Sequence, residues 1–108
     1  MTDYPTSPVT NINFLNHLIR LIHERKQQQD EPGAAQSSYT VSLFREGINK
    51  IAQKVGEEAV ELVIEAKDSD NERFRNEAAD LIYHLLVLLE EKDISLKEVI
   101  QVLEERHR

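Results

Sequence analysis

Residues 78–89 read AADLIYHLLVLL, and on a helical wheel they are apolar on nearly every side. A helix of that kind has to be covered all round, by its own chain or by a partner. The chain has 108 residues, enough for one core and too few for two. Only four main helical segments can be read in it, so this helix has few neighbours. A helix–helix dimer is the expected way to complete the burial.

The other elements follow from hydrophobic period. NINFLNHLIRLIHERK puts Phe14, Leu15, Leu18, Ile19, Leu21 and Ile22 on one face, predicting a helix over about 11–27. QQQDEPGAAQSS contains Pro32 and Gly33 and has no apolar period, so it reads as a mobile loop. The helical pattern resumes at Tyr39 and runs to about Lys67, with breaks allowed at Gly47 and Gly56. Ser69 with Glu72 has capping-box spacing and predicts a third helix over about 70–92. Ser95 with Glu98 repeats the device before a short amphipathic helix carrying Leu96, Val99, Ile100 and Leu103. No segment alternates with period two. The expected fold is all-α, a single domain over 13–108. A flexible N-terminal arm over 1–12 precedes it, with Pro5 and Pro8 and little to bury.

Charge narrows the function classes. Lys plus Arg number 13 against 20 for Asp plus Glu, a formal net charge of −7. That excludes a sequence-independent grip on nucleic acid, which needs a basic surface. It leaves room for bound cations. No apolar run approaches the roughly eighteen residues of a membrane span. The opening MTDYPTSPVTNI lacks the basic-then-apolar pattern of a secretory signal. There are no cysteines, which rules out disulfides and thiolate metal sites. A soluble protein of the reducing cytoplasm is expected.

KVGEEAVELVIEAKD, residues 54–68, then becomes the informative stretch. With Glu57 at zero on the wheel, Glu61 falls at about 40°, Glu65 at about 80° and Glu58 at about 100°. Ile48, Val55, Ala59, Leu62 and Ala66 centre at about 180°, and Val60 and Ile64 lie at about 300° and 340°. The acids therefore form a strip walled by hydrocarbon on both sides. Lys50 and Lys54 share that strip. Salt bridges from Lys54 to Glu57 and Glu58 are the plain reading. They leave Glu61 and Glu65 uncompensated, and Lys before Glu is the poorer order against the helix dipole.

In NEAADLIYH, Glu77 and Asp80 stand three apart on the most apolar helix of the chain. Unpaired carboxylates are costly to bury. If the two helices dock, Glu58, Glu61, Glu77 and Asp80 can converge, and an all-oxygen set of this kind suits Mg²⁺, with Mn²⁺ as a substitute. Lysines beside such a cage suit a polyphosphate.

At these residues the chain resembles the phosphoribosyl-ATP pyrophosphohydrolase family of histidine biosynthesis. The stretches GINKIAQKVGEEAVELVIEA and NEAADLIYHLLVLL carry the likeness most specifically, within a match from about Phe14 to His107. More distantly it is similar to the MazG-like all-α nucleotide pyrophosphohydrolases, whose EExxE and ExxD signature reads here as Glu57-Glu58-x-x-Glu61 and Glu77-x-x-Asp80. The resemblance implies a MazG-like bundle of four to five helices. It also implies Mg²⁺-dependent cleavage of phosphoribosyl-ATP, between the α and β phosphates, to phosphoribosyl-AMP and pyrophosphate. Some relatives are fused to a cysteine-liganded zinc cyclohydrolase, and this cysteine-free chain resembles the stand-alone form.

The same resemblance implies metal-ligand roles for Glu58, Glu61, Glu77 and Asp80. Glu57 is expected to hold a second metal or to orient the attacking water, and either Glu57 or Glu61 could take that water's proton. Lys50 and Lys54 are expected on phosphates. Arg73 either joins them or pairs with Glu77. Glu65, one turn past the cage, is expected to support it from behind or to lie on the surface. His84 either donates a hydrogen bond to the Asp80 carboxylate or is a satisfied core histidine. Tyr83 reads as packing, and His17, His23 and His107 as surface residues. Two other readings fit the same pattern: a house-cleaning nucleoside triphosphate pyrophosphohydrolase, and a non-catalytic helical dimerisation module.

Overall fold

The computed structural model describes residues 13–108; the predicted arm over 1–12 lies outside the described residues. Six helices and no strand occur among those residues: α1 (Phe14–Gln27), α2 (Ala34–Ser37), α3 (Tyr39–Glu46), α4 (Ile48–Ala66), α5 (Asn71–Glu91) and α6 (Leu96–Arg106). The all-α expectation holds. Among the described residues no helix is long and apolar enough to cross a membrane.

Of the two breaks allowed in the second predicted helix, one occurs. Gly47, at φ 94°, separates α3 from α4 in a conformation that a side chain would strain. Its N–H still closes the end of α3 on the Leu43 carbonyl at 3.0 Å. Gly56 stays helical, because one interior glycine costs only about 1 kcal/mol and α4 is held along its length by α5, its most extensive neighbour. The predicted loop at 28–38 contains the single turn of α2.

The caps are partly as expected. Ser95 and Glu98 form the full capping box, with Ser95 Oγ accepting from the Glu98 N–H at 3.2 Å and Glu98 Oε2 from the Ser95 N–H at 2.7 Å. The Ser69–Glu72 box does not form. Asp70 caps α5 instead, its Oδ1 accepting from the N–H groups of Glu72 and Arg73 at 3.1 and 3.2 Å. A carboxylate at that position satisfies two orphan amides and opposes the positive end of the helix. Ser38 caps α3, its Oγ accepting from the Val41 N–H.

The core is Ile22 of α1, Leu43 and Phe44 of α3, Ile51 of α4, and Leu86 and Val87 of α5, with Leu15, Leu18, Ile19 and Leu96 packed against it. The far ends of α1 and α5 are tied by polar contacts: Lys26 Nζ donates to the Glu90 carbonyl at 2.8 Å and reaches Asp93 Oδ1 at 3.0 Å, and His23 Nδ1 lies 2.5 Å from Glu90 Oε1. His23 is thus exposed, as expected, yet paired.

One burial expectation is corrected, that for α4, while the incomplete cover expected of α5 within one chain is observed. Within one chain α5 is covered on one side only: His84, Leu86 and Val87 are buried, while Ile82 and Leu85 are 49% and 40% exposed. On α4 the docked side runs through Ile51, Val55, Glu58, Leu62 and Glu65, centred at about 120° on the wheel rather than about 180°. Ile48 is 45% exposed. The contact with α5 and the core selects this face, so the helix turns Glu58 and Glu65 inward and leaves Glu57 and Glu61 exposed beside them.

Candidate metal centre between α4 and α5

Docking α4 on α5 carries the acid strip against the Glu77–Asp80 pair. Glu58, Glu77 and Asp80 each offer an oxygen within 4.8 Å of the others. Glu58 is the most enclosed, at 6% exposure. Lys54 Nζ lies 4.0 Å from its Oε1, and His84 Nδ1 lies 3.5 Å from the same oxygen. Neither contact is short enough to neutralise a buried carboxylate fully.

Glu77 Oε2 and Glu65 Oε2 are closed off from water and meet no donor. What faces Glu77 is Glu61 and Glu58, and two carboxyl groups can share a hydrogen bond only if one is protonated. Glu77 is accordingly pushed up to about 7, first by that contact with Glu61, then by burial and by Glu58. Glu61 therefore meets the cluster through Glu77. Buried oxygens that meet no donor, facing further carboxyl groups, are chemistry that a divalent cation would satisfy. The donor set fits Mg²⁺ or Mn²⁺.

The other predicted residues are distributed more widely. Glu57 is exposed, 3.7 Å from Lys54 and 3.4 Å from Gln53 Nε2. With Glu61, Val60 and Gly56 it lines an open groove of about 490 Å³. Lys54 is raised above its ordinary value, first by the Tyr39 phenol oxygen and then by Glu57 and Glu58, against the downward pull of burial. Lys50 is half-buried in the turn before. Arg73 does not pair with Glu77; its Nε reaches back to Asp70 Oδ2 at 3.6 Å. Glu65 brings a buried oxygen to the same inner side of α4.

His84 is buried but does not bond the Asp80 side chain. Its Nδ1 lies 2.9 Å from the Asp80 backbone carbonyl, one helical turn back, and its Nε2 lies 2.8 Å from the Tyr39 hydroxyl. Tyr83, expected only to pack, also bonds the Thr40 hydroxyl. Tyr39 is the residue that sequence reading missed. Its partner is 45 positions away, and no helical spacing could have joined them.

The raised Glu77 group has a measurable consequence. Its folded value, about 7, exceeds its ordinary value of 4.5. The folded state therefore binds the extra proton, and the stabilisation is complete below about pH 4.5 and lost as pH rises through about 7. Without divalent cations, the melting temperature of wild type should fall between about pH 5 and 8 relative to that of Glu77→Gln, which lacks the group. Saturating Mg²⁺ should remove the difference in slope, because a cation holds Glu77 ionised. Parallel slopes in metal-free buffer would contradict this.

The model of the family described as Phosphoribosyl-ATP pyrophosphohydrolase matches residues 15–107. The chain is similar to proteins called histidine biosynthesis bifunctional protein HisIE. It is 50% identical to that of Bacillus subtilis over 94 residues, covering 87% of this chain and 43% of the relative. It is 51% identical to that of Bacteroides thetaiotaomicron over 96 residues, covering 89% and 45%. It is 46% identical to that of Escherichia coli O157:H7 over 95 residues, covering 88% and 44%. The chain thus spans less than half the length of these relatives.

Proposed function

The chain belongs to the phosphoribosyl-ATP pyrophosphohydrolase family, and on that premise we propose that it hydrolyses phosphoribosyl-ATP to phosphoribosyl-AMP and pyrophosphate in a Mg²⁺-dependent reaction of histidine biosynthesis. The observation that carries this reading is the convergence of Glu58, Glu77 and Asp80 within 4.8 Å, beside a Glu77 oxygen that meets no donor.

In this reading Glu58, Glu61, Glu77 and Asp80 hold the cation. When bound, a divalent ion neutralises phosphate oxygens, absorbs charge on the leaving pyrophosphate and makes water more acidic. The chain's own residues do the rest. Lys54, already beside the cluster, offers an ammonium to a phosphate, and Lys50 offers a second one turn earlier. The Arg73 side chain is 68% exposed, with a long 3.6 Å contact to Asp70, so its guanidinium can turn to a phosphate as well. Glu57 and Glu61 share the groove next to the cluster, and a carboxylate there can accept the proton of the attacking water. Glu65 closes the inner end of the strip.

We also propose a cytoplasmic homodimer. Val60, Val63 and Ile64 on α4 are about 60% exposed at helical spacing, as are Ile82 and Leu85 of α5 to a lesser degree. Apolar area of this kind marks an interaction face. The cysteine-free sequence suits a reducing compartment.

A pyrophosphate-release assay tests the activity. Phosphoribosyl-ATP should be turned over with Mg²⁺ and not in its absence, and faster than ATP, dCTP or dUTP. Faster cleavage of a plain triphosphate would identify a house-cleaning enzyme instead. No turnover of any of them, together with a melting temperature indifferent to Mg²⁺, would identify a non-catalytic helical module.

A further inference from the structure

Two tyrosines make edge-on contacts with the His84 ring. Tyr39, the first residue of α3, lies with its ring centroid 5.8 Å away at 90°. Tyr83, its neighbour on α5, lies 5.4 Å away at 83°. Tyr83 is bonded through its hydroxyl to Thr40, so the start of α3 is tied to α5 at two adjacent residues. The ring nitrogens are equally constrained. Nδ1 faces the Asp80 backbone carbonyl at 2.9 Å, and a carbonyl can only accept, so Nδ1 carries the hydrogen. In the neutral ring Nε2 is then an acceptor, and the Tyr39 O–H, 2.8 Å away, donates to it. The Nδ1–H that results also faces Glu58 Oε1 at 3.5 Å.

We infer that Tyr39 and His84 are a positioning pair for the carboxylate cluster: the Asp80 carbonyl fixes the Nδ1–H tautomer, the Tyr39 hydroxyl holds the ring by its other nitrogen, and the ring so held stands against the Glu58 carboxylate. This rests on the proposed metal role of Glu58, and it assigns a task to two residues that need not touch substrate. Neighbours of metal-binding side chains act in this way, by fixing orientation. The arrangement is specific in its polarity. Without the Tyr39 hydroxyl the Asp80 carbonyl still selects the Nδ1–H form, and the ring loses its 2.8 Å tie to α3. Tyr39 is 53% exposed, so removing its hydroxyl leaves the fold standing.

The first test needs neither metal nor substrate. Imidazole ¹⁵N shifts of the full chain in metal-free buffer should show His84 as the Nδ1–H tautomer. Tyr39→Phe should keep that tautomer and shift the Nε2 resonance as its hydrogen bond is lost, and Tyr83→Phe should leave the signature of wild type. The second test is Mg²⁺ binding by calorimetry. Tyr39→Phe should weaken it about threefold to tenfold, and His84→Gln about tenfold to a hundredfold. His84→Asn should recover to within about threefold of Tyr39→Phe, because its amide N–H falls where Nδ1–H was. An Nε2–H signature in wild type would overturn the pair, as would an Nε2 resonance and Mg²⁺ affinity both unchanged in Tyr39→Phe. Failure of phosphoribosyl-ATP turnover would sink the proposed activity and leave both measurements to decide this inference separately.

Discussion

Glu58→Gln is expected to lower pyrophosphate release from phosphoribosyl-ATP by about three orders of magnitude while the chain stays folded. The loss follows from charge. A cation holding a transferring phosphoryl group contributes several kcal/mol to the transition state, and each 1.4 kcal/mol is about tenfold in rate. Removing one anionic ligand from the most enclosed position of the cluster forfeits about 4 kcal/mol of that, on the order of a thousandfold. The fold survives because the amide keeps the shape of the side chain. Its oxygen can still meet His84 Nδ1, and Lys54 keeps its contact with Glu57.

Glu77→Gln should lose activity to a similar degree and carry a second signature. Glu77 faces other carboxyl groups and is raised to about 7 by them, so at pH 8 the metal-free fold bears a repulsion that the amide relieves. The variant should therefore melt higher than wild type without Mg²⁺ and gain less from adding it, the trade expected where a fold tolerates local repulsion for a function. Initial rates and paired melting curves with and without Mg²⁺ check both halves. Glu58→Gln retaining activity within about tenfold of wild type would remove Glu58 from the cage.

The acids were readable in the sequence because helical spacing alone puts Glu58 with Glu61 and Glu77 with Asp80, each three apart on one helix. Which face of α4 turns inward was not. The wheel shows where hydrocarbon lies, and by that count the acids flank the buried side. In the structure Ile51 and Glu58 are the buried residues of α4, because the docking geometry of α5 and the core decides the rotation. The same limit explains Tyr39 and His84, which are joined only by the tertiary approach of α3 to α5. At the start of α5 two caps competed within two residues. Ser69 had the spacing, but the shorter link from the Asp70 carboxylate to two amide groups prevails. Gly47 and Gly56 look alike in sequence, and only the first sits where the chain must change direction.

Ile64→Glu is expected to turn a dimer into a monomer, raising the dissociation constant by about a thousandfold or more. Val60, Val63 and Ile64 are 60%, 59% and 61% exposed, three aliphatic side chains one turn apart at i, i+3 and i+4 on one helix. Burying each fully would contribute about 1.5–3 kcal/mol. Glu at position 64 would forfeit one such contribution and force a carboxylate against hydrocarbon, a further cost of several kcal/mol unless it is paired or protonated. A total of about 4 kcal/mol or more gives that thousandfold. The substitution lies on the surface of the single chain, so helix content and the Ile22, Leu43, Ile51 and Val87 core should be unaffected. Sedimentation velocity across a concentration series reads the equilibrium directly. The activity of the monomer discriminates further. Val60 lines the same groove as Glu57 and Glu61, so a partner seated on Val60 also closes the space where the attacking water would be held. Losing that partner should depress turnover more than Mg²⁺ binding, since Glu58, Glu77 and Asp80 come together within one chain. Wild type sedimenting as a monomer at tens of micromolar would show that the exposed strip is covered by something other than a second copy.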